Sequence, residues 1–251
     1  MTDKITENEY LSGRVRIRQP AVGYRAGVDP VLLAASIPAK SGQSVLELGT
    51  GVGTAALCLA ARVSELSLTG IEIQPDYAAL ARANGSLNQA DFDVFEADLA
   101  KLPSDLKQQR FDHVIANPPY FDRLSGHTAS DAGRERAMGE DTPLKIWLEV
   151  AAKRVAPKGY ISFIHRAERV GDILSLMPPS MGSVQVQPFI PRPERDANLV
   201  IVRARHSGRA PLRLHAPFQL HQGLRHEKDA EDYTIGIKAV LRDGKALPIP
   251  A

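Results

Sequence analysis

Apolar residues along this chain gather into short apolar-rich segments, and the stretches between them repeat with a helical period. Ser44-Val45-Leu46-Glu47-Leu48 reads as a buried strand, and further strand-like segments lie at 66–73, 92–95, 111–116, 160–165, 183–190 and 198–204. A run of four to eight residues without polar alternation is what a strand covered on both faces requires. Helical patterns fill the gaps at 54–61, from Gln74-Pro75-Asp76 to about 88, from Thr142-Pro143 to 155 and at 167–177. Proline at a helix start costs little, because its missing N–H would have no partner there. In the third of these helices Leu144, Trp147, Leu148, Ala151 and Val155 share one face. Strand and helix in alternation predict a mainly parallel, doubly wound α/β sheet with helices on both faces. Pro157-Lys158-Gly159 is expected to turn the chain into the strand at 160–165. The link at 191–196 is too short for a helical crossover, so the last strand should run antiparallel.

Outside this core, residues 1–43 read as an N-terminal extension and 207–251 as a basic C-terminal extension, around a core at 44–206. The N-terminal piece carries the alternating stripe Arg14-Val15-Arg16-Ile17-Arg18, and the tail is expected to end in a helix near 232–241. Residues 121–141 form a long Gly-, Ser- and Arg-containing loop, of the kind that usually serves function or stays irregular.

Composition narrows the classes. With 251 residues, 43% hydrophobic content and a net charge of +2, one α/β core with short appendages is the expected size. Charge is uneven: six Lys/Arg and four histidines lie between 201 and 228 against the single carboxylate Glu227. That tail and the N-terminal stripe form a candidate footprint for a phosphate backbone, set against an ordinary solvated surface. His206, His215, His221 and His226 match no metal-ligand spacing, and no metal is expected. His113 and His165, inside strands, read as satisfied core histidines, and Arg203 and Arg205 as outward residues of the last strand. Cys58, the one cysteine, reads as a buried core thiol. No apolar run approaches the roughly 20 residues of a membrane span, and no targeting pattern opens the chain, so a cytoplasmic protein is expected.

The candidate chemistry sits where strands end. The run at 111–116 leads into Asn117-Pro118-Pro119-Tyr120. Two prolines remove two amide donors and leave carbonyl acceptors, the arrangement suited to a substrate that donates hydrogen bonds. Asn117 Oδ1 and the Pro118 carbonyl can accept from one –NH2 while Tyr120 stacks on the attached ring and Pro119 shapes the pocket. The strand at 44–48 leads into Gly49-Thr50-Gly51-Val52-Gly53, a glycine-rich turn suited to close approach by a nucleotide-like ligand. Its spacing is neither that of a dinucleotide fingerprint nor that of a P-loop. Glu47 would repel a pyrophosphate there and suits an amino-acid cation instead. Glu72, at the tip of the second strand, is placed for ribose hydroxyls or as a charge at a helix start. Asp98 follows the third strand and is placed for an adenine amino group. Asp29 is either an N-cap for the helix at Pro30 or a contact for the cofactor's amino-acid end.

Taken in order, Glu47-x-Gly49-x-Gly51-x-Gly53, Glu72, Asp98 and Asn117-Pro118-Pro119-Tyr120 resemble the class I S-adenosylmethionine-dependent methyltransferases that act on exocyclic or amide nitrogens. Within them, Gly23-Tyr24-Arg25-Ala26-Gly27-Val28-Asp29-Pro30-Val31-Leu32-Leu33, Arg134-Glu135-Arg136-Ala137 and Glu231-Asp232-Tyr233-Thr234 resemble the bacterial tRNA (adenine-N6) methyltransferases acting beside the anticodon of valine tRNA. The resemblance implies a Rossmann-like, seven-stranded sheet with an antiparallel final strand. It also implies S-adenosylmethionine as cofactor and, as partner, a tRNA or other structured RNA with an unstacked adenine. Arg134 and Arg136 are then expected at the phosphates. The longer basic stretch from Arg203 to Lys228 and Met138-Gly139 depart from that branch, which leaves the RNA target open. A protein glutamine-N5 or DNA adenine-N6 methyltransferase, or a non-catalytic RNA-binding or cofactor-sensing protein, are the alternatives. Monomer and homodimer are equally compatible.

Overall fold

The computed structural model of the chain describes residues 4–23, 25–120, 142–226 and 231–249. An N-terminal hairpin pairs β1 (Ile5–Tyr10) with β2 (Val15–Pro20). The central sheet holds β3 (Ser44–Leu48), β4 (Ser67–Glu72), β5 (Phe92–Glu96), β6 (Phe111–Ala116), β7 (Val155–Arg166), β8 (Met181–Ile190) and β9 (Leu199–His206). Two short strands, β10 (Arg213–Leu214) and β11 (Phe218–Gln219), run parallel to β8 at its outer side. From one edge the order is β10-β8-β9-β7-β6-β3-β4-β5, and β9 alone of the seven long strands opposes its neighbours.

Helices cover both faces: α1 (Asp29–Ser36), α2 (Thr54–Ala60), α3 (Pro75–Leu87), α4 (Ser104–Gln108), α5 (Leu144–Arg154), α6 (Val170–Ser175) and α7 (Ile235–Asp243). Strand alternation sorts the core in two. Val45 and Ile115 join the side of α1, α2, α7 and the hairpin, whereas Leu46, Leu48, Val114 and Ala116 join the side of α4, α5 and α6. Register then fixes the working edge, because Leu48 pairs with both Ile71 and Ala116. Gly49, Glu72 and Asn117 therefore leave three adjacent strands at one level, at the topological switch between β3 and β6.

The hairpin was only half legible. Val15, Ile17 and Gln19 are buried and Arg16 and Arg18 exposed, as the alternation of β2 demands, but β1 has no apolar pattern to betray it. Glu7 on β1 pairs with Arg16 (3.6 Å) and Arg18 (3.0 Å), which neutralises much of the basic stripe. What anchors the hairpin is polar. The buried Asn84 side chain of α3 accepts from the Arg18 amide (2.8 Å) and donates to the Arg18 and Val52 carbonyls (2.9 Å each). Asn88, one turn on, repeats the exchange with the backbone of Arg16. An exposed strand edge is thus completed by two carboxamides at helical spacing.

Other expectations are revised. Pro157-Lys158-Gly159 is no turn between elements: β7 runs from Val155 without a break, with a register shift against β6 at this point and Lys158 at φ 66°. The helix expected at 167–177 is a 3-10 turn followed by the shorter α6. Arg203 does not point outward. It lies buried under α1, donating to the Gln185 side chain (2.9 Å) and the Ser36 carbonyl (3.3 Å). The tail beyond 207 is less irregular than its composition suggested, since it supplies β10 and β11. Cys58 is buried in the core, as expected. Among the described residues, no helix is long and apolar enough to cross a membrane.

Replacing Asn84 removes three hydrogen bonds of a buried side chain at once. Asn84→Ala is expected to lower unfolding stability by roughly 2–4 kcal/mol in a urea titration and to speed hydrogen exchange at the Arg18 amide. Unchanged exchange there would contradict the anchor.

Candidate active site

At the carboxyl edge of the sheet lies a cavity of about 630 Å³, within the usual range for small-ligand sites. Its floor is the glycine turn. Gly49, Gly51 and Gly53 all hold left-handed backbone (φ 60°, 55° and 86°), which a side chain rarely tolerates. A Cβ on Gly49 would lie 2.4 Å from the Trp147 ring, whereas one on Gly51 would meet nothing within 4 Å and projects into open space. Gly53 packs on Phe92 below the turn and is absent from the cavity lining.

Two acids hold this turn from beneath. Glu47 is 3% exposed; its Oε2 accepts from Thr50 Oγ1 (2.7 Å) and the Ala56 amide (3.1 Å). Glu72 accepts from the Gly51 amide (2.8 Å) with one oxygen and the Gln74 amide (2.9 Å) with the other. Its two proposed readings coincide in space, because the same carboxylate sits at the start of α3 and lines the cavity. Burial is the main cause of a raised pKa in both, and it pushes Glu47 up to about 7, with the Glu72 charge acting the same way.

The opposite wall comes from 21–23 and 25–27, which the sequence marked through its motif without indicating how they are held. Buried Gln19 accepts from the Ala26 amide (3.0 Å) and donates to Asn8 (3.0 Å). Arg25 reaches back to Thr6, Asn8 and the Pro20 carbonyl. The hairpin thus carries a wall of the cavity.

Asn117, Pro118, Pro119 and Tyr120 line the third side. Asp29 is not an N-cap: Val28 takes that position, and Asp29 Oδ2 accepts instead from the Tyr120 hydroxyl. Burial raises the Asp29 pKa, with Tyr120 and Arg166 opposing it. The Tyr120 ring lies against His165 (centroids 5.3 Å apart), with the Arg166 guanidinium 5.7 Å from its centroid. Asp98 lies apart from the lining, between Ala97 and Leu99, which do line it, and caps the following turn through the Ala100 amide (2.8 Å). Arg134 and Arg136 lie outside the described residues.

Three contributors escaped the sequence reading. Trp147 was assigned to the core face of its helix; it also lines the cavity, with its indole N–H on the Thr142 carbonyl (3.1 Å). Tyr77, one turn into α3, lines the mouth. His165 is completely buried beneath Tyr120. Elsewhere, His221 and His226 bind Asp232 (2.6 and 3.0 Å), which Arg192 also grips.

Residues 18–134 match the family described as "Methyltransferase small domain". The tRNA1(Val) (adenine(37)-N6)-methyltransferase of Porphyromonas gingivalis is 36% identical over 176 residues, 64% of this chain and 66% of that protein. The protein of the same name from Actinobacillus succinogenes is 30% identical over 168 residues, covering 64% and 69%. The first three curated relatives are each spanned over only 64% to 66% of their own length, just under two thirds. A crystal structure named as a predicted O-methyltransferase from Agrobacterium tumefaciens is 25% identical with a TM-score of 0.71, covering 87% of this chain and 98% of that one.

Glu47 provides a test of the buried acids. Its folded pKa lies above the ordinary 4.5, so the folded protein binds an extra proton between about 4.5 and 7. Stability is therefore greatest below this window and falls as pH rises through it. Glu47→Gln should flatten that slope and, at pH 8, be more stable than the parent by on the order of 1–3 kcal/mol. Parallel stability curves for the two proteins would contradict the assignment. Gly49→Ala should cost about 2 kcal/mol or more from backbone strain and the Trp147 clash together, read as a lower midpoint in thermal unfolding.

Proposed function

The chain belongs to the methyltransferase small-domain family, and from that premise we propose that it is an S-adenosylmethionine-dependent N-methyltransferase acting on the exocyclic amino group of an adenine in RNA. A tRNA anticodon loop is the first candidate, in keeping with the names of its relatives. One observation carries the reading: Glu47, Glu72, the open glycine turn and Asn117–Tyr120 face a single cavity.

The donor set fits the cofactor. Glu47 suits the ammonium of an amino-acid group, Glu72 suits paired ribose hydroxyls, and the clear space over Gly51 admits a ligand against bare backbone. Trp147 holds the turn from the other side. When bound, S-adenosylmethionine supplies an activated methyl carbon on a sulfonium.

What remains for the chain is alignment and exclusion of water. Asn117 Oδ1 and the Pro118 carbonyl accept from the amino group, and Tyr120, fixed at its hydroxyl by Asp29, offers its face to the ring. An adenine amino nitrogen shares its lone pair with the ring. Its N–H groups become more acidic as the nitrogen turns tetrahedral, so these two acceptors bind the transition state more strongly than the ground state. No strong base is then needed. The base must leave its stack to reach the clamp, which a single-stranded loop permits at least cost.

A second reading has support of its own. The Agrobacterium structure bears an O-methyltransferase name, and Asp29, its pKa raised by burial, is a base that a hydroxyl acceptor would call for. The products separate the two. Total tRNA from a strain lacking this protein, incubated with the purified chain and the cofactor and then digested, should yield new N6-methyladenosine by mass spectrometry. An O-methylated nucleoside, or methylation confined to protein or DNA, would overturn the proposal.

Within the site, Asn117→Ala should lower transfer by roughly a hundredfold or more with cofactor affinity nearly intact. Glu72→Ala should weaken cofactor affinity by roughly tenfold or more. Equal loss of cofactor binding in both would contradict this division.

A further inference from the structure

The basic residues that composition singled out do not lie together. β9 runs against its neighbours, so it ends toward the amino edge of the sheet, where Arg205 pairs with Tyr160 of β7 and Gly182 of β8. Exposed Arg209 and Arg213 follow on that side, away from the cavity. Only the part of the tail from β11 onward returns to the carboxyl edge. Phe218, Phe189, Leu199 and Arg166 stand in one row across β11, β8, β9 and β7. With strands about 4.8 Å apart, this row spans about 14 Å. At its β7 end the Arg166 guanidinium lies 5.7 Å from the Tyr120 ring centroid, and its β11 end runs on to His221.

His221 is fixed in place. Its amide donates to the Pro191 carbonyl (3.0 Å), and it bridges to Tyr233, whose ring stacks on its own with centroids 4.7 Å apart and planes 24° apart. Asp232 meets His221 Nδ1 at 2.6 Å while also holding His226 and Arg192. Tyr233 packs against the core, whereas the His221 side chain keeps 30% of its surface exposed, so the imidazole is the outer ring of the stack. Around it lie Leu224 and Ile235, large apolar side chains 62% and 84% exposed, and the exposed Arg225 and His226. Thr234, just before Ile235, ties this corner down by donating its amide to the Leu220 carbonyl (2.9 Å).

A clamped aromatic face among cations, with no enclosing walls, suits a polyanion that carries flat, unstacked groups. A protein partner would call for a continuous apolar patch, and here the two apolar side chains alternate with basic ones. We propose that the sheet edge from Arg166 to the His221–Tyr233 stack is a docking surface for the single-stranded RNA flanking the target adenine. Arg166 meets a phosphate beside the clamp, and His221 stacks on a base a few nucleotides along. The choice of RNA rests on the methyl-transfer reading.

The test uses the full chain and fluorescein-labelled oligouridylate at low salt, read by fluorescence anisotropy. This probe offers flat bases and phosphates but no exocyclic amino group for the clamp, so it reports the surface alone. His221→Ala should weaken binding roughly 5- to 100-fold, whereas His221→Phe, which keeps a ring there, should stay within about threefold of the parent. Arg166→Gln should weaken binding and reduce the slope of log affinity against log salt by about 0.7. Leu224→Glu and Ile235→Glu, on exposed side chains, should weaken it several-fold at the parental melting temperature. Arg209→Glu combined with Arg213→Glu, at the far edge, should change it less than about twofold. No binding by the parent, parental affinity in His221→Ala, equal losses in His221→Ala and His221→Phe, or a larger loss from the far-edge pair than from Leu224→Glu would overturn the surface. If His221→Ala does not fold, Leu224→Glu and Ile235→Glu decide it, parental affinity in both overturning the proposal. A parent that shows these losses yet methylates no tRNA counts against the functional reading alone. A parent that methylates tRNA, with Leu224→Glu and Ile235→Glu at its own affinity and KM, counts against the surface alone.

Discussion

Two buried carboxylates beneath a left-handed glycine turn are the constraint on which the rest of this structure depends. Backbone amides at a strand-to-helix turn have no intrahelical acceptor, and here Glu72 takes the Gly51 amide and Glu47 the Ala56 amide. The acids need the turn as much as the turn needs them, since a buried carboxylate without donors is costly. Desolvation by burial, with the Glu72 charge adding to it, leaves Glu47 with a pKa of about 7, which in the proposed reading favours a positively charged ligand group there. Destabilisation of this kind is common where binding energy is to be collected.

Around that centre the fold brings three independent segments together. The parallel register places the ends of β3, β4 and β6 side by side. The hairpin contributes a wall at 21–23 and 25–27 through Gln19 and Arg25, and Asn84 ties hairpin and glycine turn by reaching the backbones of Arg18 and Val52 together. A single helix side chain thus couples the wall to the floor. The Tyr120 side is bound separately, through Asp29 above and His165 behind.

The sequence was most legible where structure is local. Short apolar-rich segments marked the strands of the central sheet, glycines marked the turn, and acids at strand tips marked its edge, because each signal lies within a few neighbouring residues. It was least legible where a partner comes from afar. Asn84 is a polar residue within a helix, and its purpose exists only once Arg18, 66 positions earlier, is beside it. The hairpin's first strand is too polar to announce itself, and Pro157-Lys158-Gly159 signals a turn by composition but is drawn into β7 by pairing with β6. Trp147 and His165 were read as core residues. Both are buried, yet Trp147 also lines the cavity and His165 lies against Tyr120, which lines it too, and periodicity reports burial without saying what lies on the other side. Arg203 illustrates the converse: a cation predicted to be exposed is buried because Gln185 and the Ser36 carbonyl receive it.

In the proposed function, Glu47 is a proton-bearing acid that gives way to the cofactor's cation. Calorimetric titration of S-adenosylmethionine into the protein at pH 6, repeated in buffers of different ionisation enthalpy, measures this directly. Release of a proton from Glu47 on binding, approaching one per site at pH 6 and vanishing by about pH 8, is expected. Binding with no proton release at pH 6, or no binding at all, would contradict it.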